Sequence, residues 1–226
     1  MPLHATLHSG RLDSGYILAP ERYDPRRLAV RQVDGTTVGD IVSVGVRGLS
    51  VSKMDSRKLY LVIDTGDSAD GLIRPRNDPV EPGKIGSAKK ILRTGDVIIS
   101  RLRPYLRQVA LVDSTLAEHT GAELVGSTEY FVLRPKKDGR SVAFLVPFLL
   151  SKPPQHVLCA AQEGGHHPRF SKETLLTLPI PKDILKIRDE ISANVESAAR
   201  VAREALLRLE HLTNECDRLR SEESAV

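Results

Sequence analysis

The sequence predicts an α+β protein, with a mixed or antiparallel, β-rich domain over residues 1–181 and a long coiled-coil α-helix over residues 182–226. Three observations support this prediction. Short apolar, β-branched runs alternate with Gly and Pro turns through the first part of the chain. Glycine and proline stop after Pro181. Apolar or small residues then recur at heptad spacing.

Six short segments have the composition of β-strands, because β-branched residues fill them and turn residues bound them. They are residues 39–46, 58–64, 90–92, 96–102, 108–112 and 129–133. Residues 142–150 are apolar on all sides, which predicts a buried helix. Ser171 is expected to cap a short helix through Thr177, since its hydroxyl can accept a hydrogen bond from a first-turn amide. Residues 1–35 are polar and predict an extended segment.

The last part of the chain has the pattern of one long helix, with Asp183 as its expected N-cap. From Ile191 onward the seam residues follow alternating steps of four and three, which is the spacing of a helix that pairs with another helix. They are Ile191, Val195, Ala198, Ala202, Ala205, Leu209, Leu212, Cys216 and Leu219. The predicted helix is roughly 55 Å long at about 1.5 Å per residue, too long to lie wholly on a small domain.

Charge is unevenly distributed along the chain. Residues 183–226 hold seven basic and ten acidic residues, a net charge of −3, whereas the whole chain carries +4. Residues 1–182 therefore carry +7, which is typical of a module that binds a polyanion, although a solvated basic surface has the same composition.

Three segments stand out in the first part of the chain. Residues 95–105 (GDVIISRLRPY) form a turn and a strand that ends in Arg101 and Arg103, which strand periodicity places on one face. Residues 126–135 (GSTEYFVLRP) form a second turn and strand. Residues 164–171 (GGHHPRFS) form a loop, followed by the stiff connector LPIP at 178–181.

In this order, and ending in a heptad helix, the segments resemble the target recognition domain of type I restriction–modification specificity subunits. The resemblance covers roughly residues 35–220 and depends on the ordering of the motifs, since each motif alone is weak. Specificity subunits of this family carry two recognition domains and two helices, whereas this sequence has one of each. They also often carry Gln-Ile after the connector, where this chain has Lys186-Ile187.

The resemblance implies a non-catalytic subunit that reads one half of a split site in double-stranded DNA. Its helix would serve as a spacer on which a methyltransferase (modification) subunit, and possibly a restriction subunit, dock. A half-subunit would pair through its helix as a homodimer, which favours a palindromic site. No cofactor is expected.

The expected DNA-binding residues are basic side chains and the glycines that let backbone approach DNA closely. They are Lys89, Lys90, Arg101, Arg103, Arg107, Gly164, Gly165, His166, His167 and Arg169. For Arg101 and Arg103, an ion pair with Asp96 or Glu129 inside the domain is an equally weighted alternative. Tyr105 is expected to pack in the core.

Three other kinds of site are less consistent with the sequence: a zinc site, a nuclease site and a cofactor-binding loop. His156, Cys159, His166 and His167 are suitable zinc ligands, but adjacent histidines rarely face one metal, so no metal site is expected. Residues 81–84 (EPGK) lie in a Pro/Gly loop and lack the strand context of a nuclease site. No Gly-rich cofactor loop is present. A scaffold that acts through its coiled coil alone remains the main alternative to a DNA-reading module.

The composition also predicts a cytoplasmic protein that does not enter a membrane. The N-terminal residues lack the basic and apolar regions of a secretory signal, and the apolar run at 142–150 is too short to span a bilayer. Two cysteines do not make a disulfide framework.

Overall fold

The computed structural model describes residues 35–45, 48–136, 139–164 and 167–223. The expected extended segment at residues 1–35 lies almost entirely outside this range. In chain order, the strands are β1 Val42–Ser43, β2 Gly48–Leu49, β3 Tyr60–Ile63, β4 Ser68–Ala69, β5 Leu72–Ile73, β6 Lys89–Ile91, β7 Val97–Ser100, β8 Val109–Leu111, β9 Glu123–Gly126 and β10 Tyr130–Pro135. The α-helices are α1 Val38–Ile41, α2 Ser114–Thr120, α3 Leu145–Leu150, α4 Lys152–Ala160, α5 Lys172–Leu176, α6 Lys182–Lys186 and α7 Arg188–Glu223.

The strands form two four-stranded sheets and a two-stranded ribbon. The first sheet has the order β1-β10-β7-β8 and is antiparallel throughout, and the second has the order β2-β6-β9-β3. In the second sheet β3 pairs with β9 in parallel, while the other pairs are antiparallel. The predicted α+β class, with mixed and antiparallel sheets before a long helix, is confirmed.

The first sheet is buried on both faces. Val97 and Ile99 of β7 pack in a core shared with the helices, whereas Ile98 between them packs in a core shared with the second sheet. Alternate residues of a strand point to opposite faces, so β7, β8 and β10 each contribute side chains to both cores. This double burial explains why the strand sequences are apolar runs rather than alternating patterns.

Five of the six predicted strands are found with their ends shifted by one or two residues, but some predictions were wrong. Residues 39–46 contain helix α1 before the two-residue β1, because Thr37 and Asp40 cap each other's backbone amides and start a helical turn. Helices α2 and α4 and strand β9 were not predicted. The helix expected at 142–150 is present as α3, and the Ser171 hydroxyl accepts from the Thr174 amide at the start of α5, as expected.

The long helix begins later than expected. Asp183 does not cap it, because Pro181 precedes a separate short helix, α6, and Ile187 forms a turn before α7 begins at Arg188. Helix α7 has 36 residues and is therefore about 54 Å long. None of the helices in the described ranges is both long and apolar enough to cross a membrane.

The first half of α7 is anchored to the β-rich domain. Ser192 and Ala199 are buried, and the Ser192 hydroxyl accepts a hydrogen bond from the Phe144 amide at 3.1 Å. Arg203 is buried as well and donates to the Ile73 carbonyl of β5 at 2.5 Å. Beyond residue 207 each described side chain of the helix is exposed. The helix is thus half attached to the domain and half extended away from it.

Candidate nucleic-acid interface

Arg101 and Glu129 meet where two neighbouring strands of the first sheet end. Arg101 follows β7 directly, and Glu129 directly precedes β10, the antiparallel neighbour of β7. The Arg101 amide donates to the Glu129 carbonyl at 3.0 Å, and its Nε donates to Glu129 Oε2 at 2.9 Å. Of the two acidic partners considered for Arg101, Glu129 is therefore the one it binds. Asp96 instead pairs with Arg134, with two hydrogen bonds of 2.7 and 2.6 Å.

The 163–170 loop brings Arg169 to the same carboxylate. Arg169 forms an isolated antiparallel bridge with Leu102, and the Phe170 amide donates to the Arg101 carbonyl at 3.1 Å. The guanidinium of Arg169 then binds Glu129 through two hydrogen bonds, Nε to Oε2 at 3.0 Å and Nη2 to Oε1 at 2.9 Å. Such bidentate pairs fix geometry as well as adding energy. Arg101 and Arg169, which are 68 positions apart in sequence, are thereby held side by side.

Glu129 stays ionised well into the acidic range. The hydrogen bonds from Arg169 lower its pKa most, burial opposes them, and Arg101 lowers the pKa further, to about 2. A carboxylate that is charged at neutral pH is thus shared by two guanidiniums whose side chains remain 39% and 40% exposed. The outer faces of both guanidiniums are available to solvent or to an anion.

Two lysines add positive charge around this group. The Lys90 ammonium donates to the Tyr130 carbonyl at 2.5 Å and lies 6.0 Å from the centre of the Phe131 ring. Burial lowers the pKa of Lys90, and the nearby charges of Arg101 and Lys172 lower it further. Arg101 and Arg169 bind the Glu129 carboxylate, Lys90 lies within range of its charge, and Lys172 lies within range of Lys90. We call Lys90, Arg101, Arg169 and Lys172 the basic cluster.

A tight turn stands beside the basic cluster. Pro104–Leu106 form one 3-10 turn, flanked by Arg103 at φ 48° and Arg107 at φ 54°. Left-handed backbone at a residue with a side chain costs about 1–3 kcal/mol and is concentrated at functional sites. The Arg103 amide donates to the Pro168 carbonyl at 2.9 Å, which joins this turn to the 163–170 loop.

Tyr105 does not pack in the core, so that prediction was wrong. Pro104 is the buried residue of the turn, while Tyr105 is 54% exposed and Leu106 46% exposed. The reason is the pair of left-handed arginines, which turn the backbone so that the proline faces inward. The sequence pattern could not show this, because nothing in it marks Arg103 and Arg107 as left-handed.

The other expected DNA-binding residues divide into two groups. Lys89 is held inside the domain: its side chain is only 13% exposed, and its ammonium donates to Ser87 Oγ at 3.2 Å and lies 4.0 Å from Asp64. Gly164 is exposed with φ +95°, a conformation that favours glycine, and His167 is exposed beside it. Gly165 and His166 lie outside the described residues.

The helix seam is divided by the domain. Ile191 and Val195 are half-buried against the core of the domain. An open, mostly apolar groove of about 330 Å³ lies between α7 and the domain, and it is lined by Val195, Ala198 and Ala202 of the helix and by Gly71, Val146, Pro147 and Leu150 of the domain. The remaining seam positions are exposed, and Leu209, Leu212 and Leu219 show 62%, 48% and 51% of their surface. Cys216 is a free, exposed cysteine among them.

The residues considered for other chemistry lie apart from this surface. Glu81 precedes the 3-10 turn Pro82–Lys84 and Lys84 ends it, and both side chains are exposed. His156 is exposed on α4, and burial raises the pKa of Cys159 on the same helix. Within the described ranges no three His, Cys, Asp or Glu side chains are grouped closely enough to hold a metal ion.

The fold of this chain, two sheets followed by a long half-attached helix, is similar to that of solved specificity subunits of type I restriction–modification systems. A solved chain from a study of complex assembly and conformational transition in the type I R-M system matches with a TM-score of 0.55 and 24% identity. The HsdS subunit from Thermoanaerobacter tengcongensis matches with a TM-score of 0.50 and 22% identity. The resemblance seen in the sequence is confirmed at the level of the fold.

Both matches cover 79% of this chain and 45% of the solved chain. The chain therefore spans less than half the length of each. No protein-family model matches the sequence, and no curated protein matches it closely enough to compare.

Proposed function

We propose that this chain is a non-catalytic, sequence-specific DNA recognition subunit of a type I-like restriction–modification system. Residues 1–181 form its target recognition domain and residues 182–226 its spacer and pairing helix. The domain reads one half of a DNA site, and the helix pairs with a second helix to set the distance between two halves. Methyltransferase and endonuclease activity reside in partner subunits that dock on this frame.

The main support for the proposal is that two arginines of the basic cluster are held together on the surface. Arg101 and Arg169 come from distant parts of the sequence, yet Glu129 fixes their guanidiniums in one place with their outer faces exposed. A surface needed only for solubility does not require arginines in a fixed geometry, because mobile charges solvate equally well. A guanidinium held in a fixed position is well suited to bind phosphate or guanine. Each of them presents two oxygen or nitrogen acceptors that two N–H groups of the guanidinium can bind at once.

The helix groove supports pairing with a second copy of α7. Ala198 and Ala202 present little bulk, so a partner helix can approach closely while Pro147 and Leu150 of the domain cover its other side. Farther out, the exposed leucines continue the same seam. A partner helix would therefore contact the domain in its first half and only α7 in its second half.

Binding to mixed-sequence duplex DNA at increasing salt tests the DNA-reading role. If the chain neutralises about five phosphates, log K should fall with a slope of about −4.5 against log salt, roughly a 500-fold loss between about 50 and 200 mM. The measurement is made on the chain alone and together with its modification subunit. Negligible binding near 50 mM salt in both conditions would overturn the proposal.

A scaffold that acts only through helix pairing is the second candidate. The exposure of Leu209 and Leu212 favours it, because apolar seam residues need a partner whether or not DNA is bound. Such a scaffold would self-associate but show negligible DNA binding even near 50 mM salt, so the same titration separates the two functions.

A further inference from the structure

Tyr105 and Leu106 form an exposed apolar knob in a basic surrounding. Both belong to the 3-10 turn Pro104–Leu106, and about half of each side chain is exposed. The turn is closed by hydrogen bonds from Leu106 to the Arg103 carbonyl and from Arg107 to the Pro104 carbonyl, both 2.9 Å. The knob is therefore rigid, and its apolar side chains stay in solvent although burying them would be favourable.

The knob is joined to the basic cluster through backbone. The Arg103 amide donates to the Pro168 carbonyl at 2.9 Å. Arg169 follows Pro168 in the chain and, like Arg101, binds the Glu129 carboxylate. Arg103 and Arg107 border the knob on both sides along the chain. A neutral protein partner would have to leave these charges unpaired, whereas a polyanion would neutralise them while the knob enters between its phosphates.

Among the base edges of double-stranded DNA, the thymine methyl group is the apolar feature exposed in the major groove. We infer that Tyr105 and Leu106 contact thymine methyl groups in the major groove and so help to set the sequence read by this domain. This inference rests on the proposed DNA-reading function. Arg103 and Arg107 hold the flanking phosphates, and the left-handed backbone at both residues fixes the depth to which the knob enters.

The test begins with selection of a preferred site from a random duplex library by the full-length chain with its modification subunit. Each thymine of the selected site is then replaced by uracil, which differs only by the missing methyl group. At one or two positions, uracil should weaken binding about fourfold for each missing methyl group. This is about the affinity that is gained when one methyl-sized apolar group is buried. The double variant Y105A/L106A should bind more weakly and lose this sensitivity to uracil.

Leu59→Ala serves as the matched control, because Leu59 is 50% exposed next to β3 and away from the basic cluster. It should keep the uracil effect of the wild-type chain. Thermal unfolding of each variant checks the fold, which exposed substitutions should leave unchanged.

The outcomes separate the two proposals. If the wild-type complex selects no site and binds no DNA, the proposed function fails. If a site is selected but uracil has no effect at any position, or has the same effect in Y105A/L106A, the thymine contact is overturned. Increased 2-aminopurine fluorescence without a uracil effect would show that bases are unstacked. The knob would then insert between bases, and the thymine contact would again be overturned.

Discussion

Arg203 of α7 binds Asp113 at the start of α2 through a hydrogen bond of 2.9 Å, and only 5% and 3% of the two side chains are exposed. Asp113 also accepts from the Leu116 amide at 2.9 Å and so caps α2. Ninety residues separate the pair in sequence. This one carboxylate therefore ties the long helix to the β-rich domain and caps a helix of that domain.

Replacing Arg203 by methionine should destabilise the protein by about 3–5 kcal/mol, because the Asp113 carboxylate remains buried without its cation. The double variant R203M/D113N should recover part of this loss, since asparagine keeps the cap on α2 without a charge. Urea unfolding of the two variants measures the difference. Arg208→Met, at an exposed position of the same helix, is the control and should change stability by less than about 0.5 kcal/mol. Equal stabilities of R203M and the double variant would show that the charge of Asp113 is not what the arginine offsets.

The ion pairs of Glu129 should make stability depend on acid pH. Its pKa in the folded protein is about 2, below the ordinary value of 4.5, so the unfolded chain binds more protons in this range. The stabilisation is present above about pH 4.5 and is lost as the pH falls toward 2. With allowance for partial exposure it amounts to about 1–3 kcal/mol.

Urea unfolding at pH 6 and pH 3 measures this effect in the wild-type chain and in Glu129→Gln. Other carboxylates with lowered pKa values, including Asp40 and Asp189, titrate in the same window in both proteins. The loss of stability on acidification should therefore be larger in the wild-type chain than in the variant. Parallel losses would contradict the ion-pair assignment.

Arg101→Ala should weaken DNA binding and lower the salt slope by about one, because one phosphate contact disappears. Glu129 keeps its bidentate partner Arg169 in this variant, so the loop should stay in place. Fluorescence anisotropy across a salt series gives the slope. Arg208→Ala is the matched control, since Arg208 is an exposed arginine on α7, away from the basic cluster. If both variants give the same slope as the wild-type chain, Arg101 does not contact phosphate.

Leu209→Glu together with Leu212→Glu should abolish self-association, because like charges would face each other in the seam of a helix pair. Both leucines are exposed, so the domain itself should remain folded. Sedimentation equilibrium measures the mass, and far-UV circular dichroism checks the helix. Asn214→Glu introduces one negative charge on the opposite side of α7 and should leave association unchanged. A wild-type chain that stays monomeric at high concentration would refute the paired helix.

The fold class, the long helix and the positions of strands β3, β6, β7, β8 and β10 could be predicted from the sequence alone. This was possible because strand composition, capping and heptad spacing are local properties of a few neighbouring residues. The Ser171 cap and β7 were predicted in this way and are present. The knob formed by Tyr105 and Leu106 was missed, because left-handed backbone at an arginine has no marker in the pattern.

Tertiary structure alone decided which residues meet. The partner of Arg101 is Glu129 rather than Asp96, and that choice depends on the pairing of β7 with β10. Likewise, Arg203 is one of seven basic residues in the predicted helix, and nothing in the sequence pattern distinguishes it from the others, yet it is buried against Asp113. Ion pairs between distant segments depend on how the sheets and loops pack, and packing is a property of the whole chain rather than of any window along it.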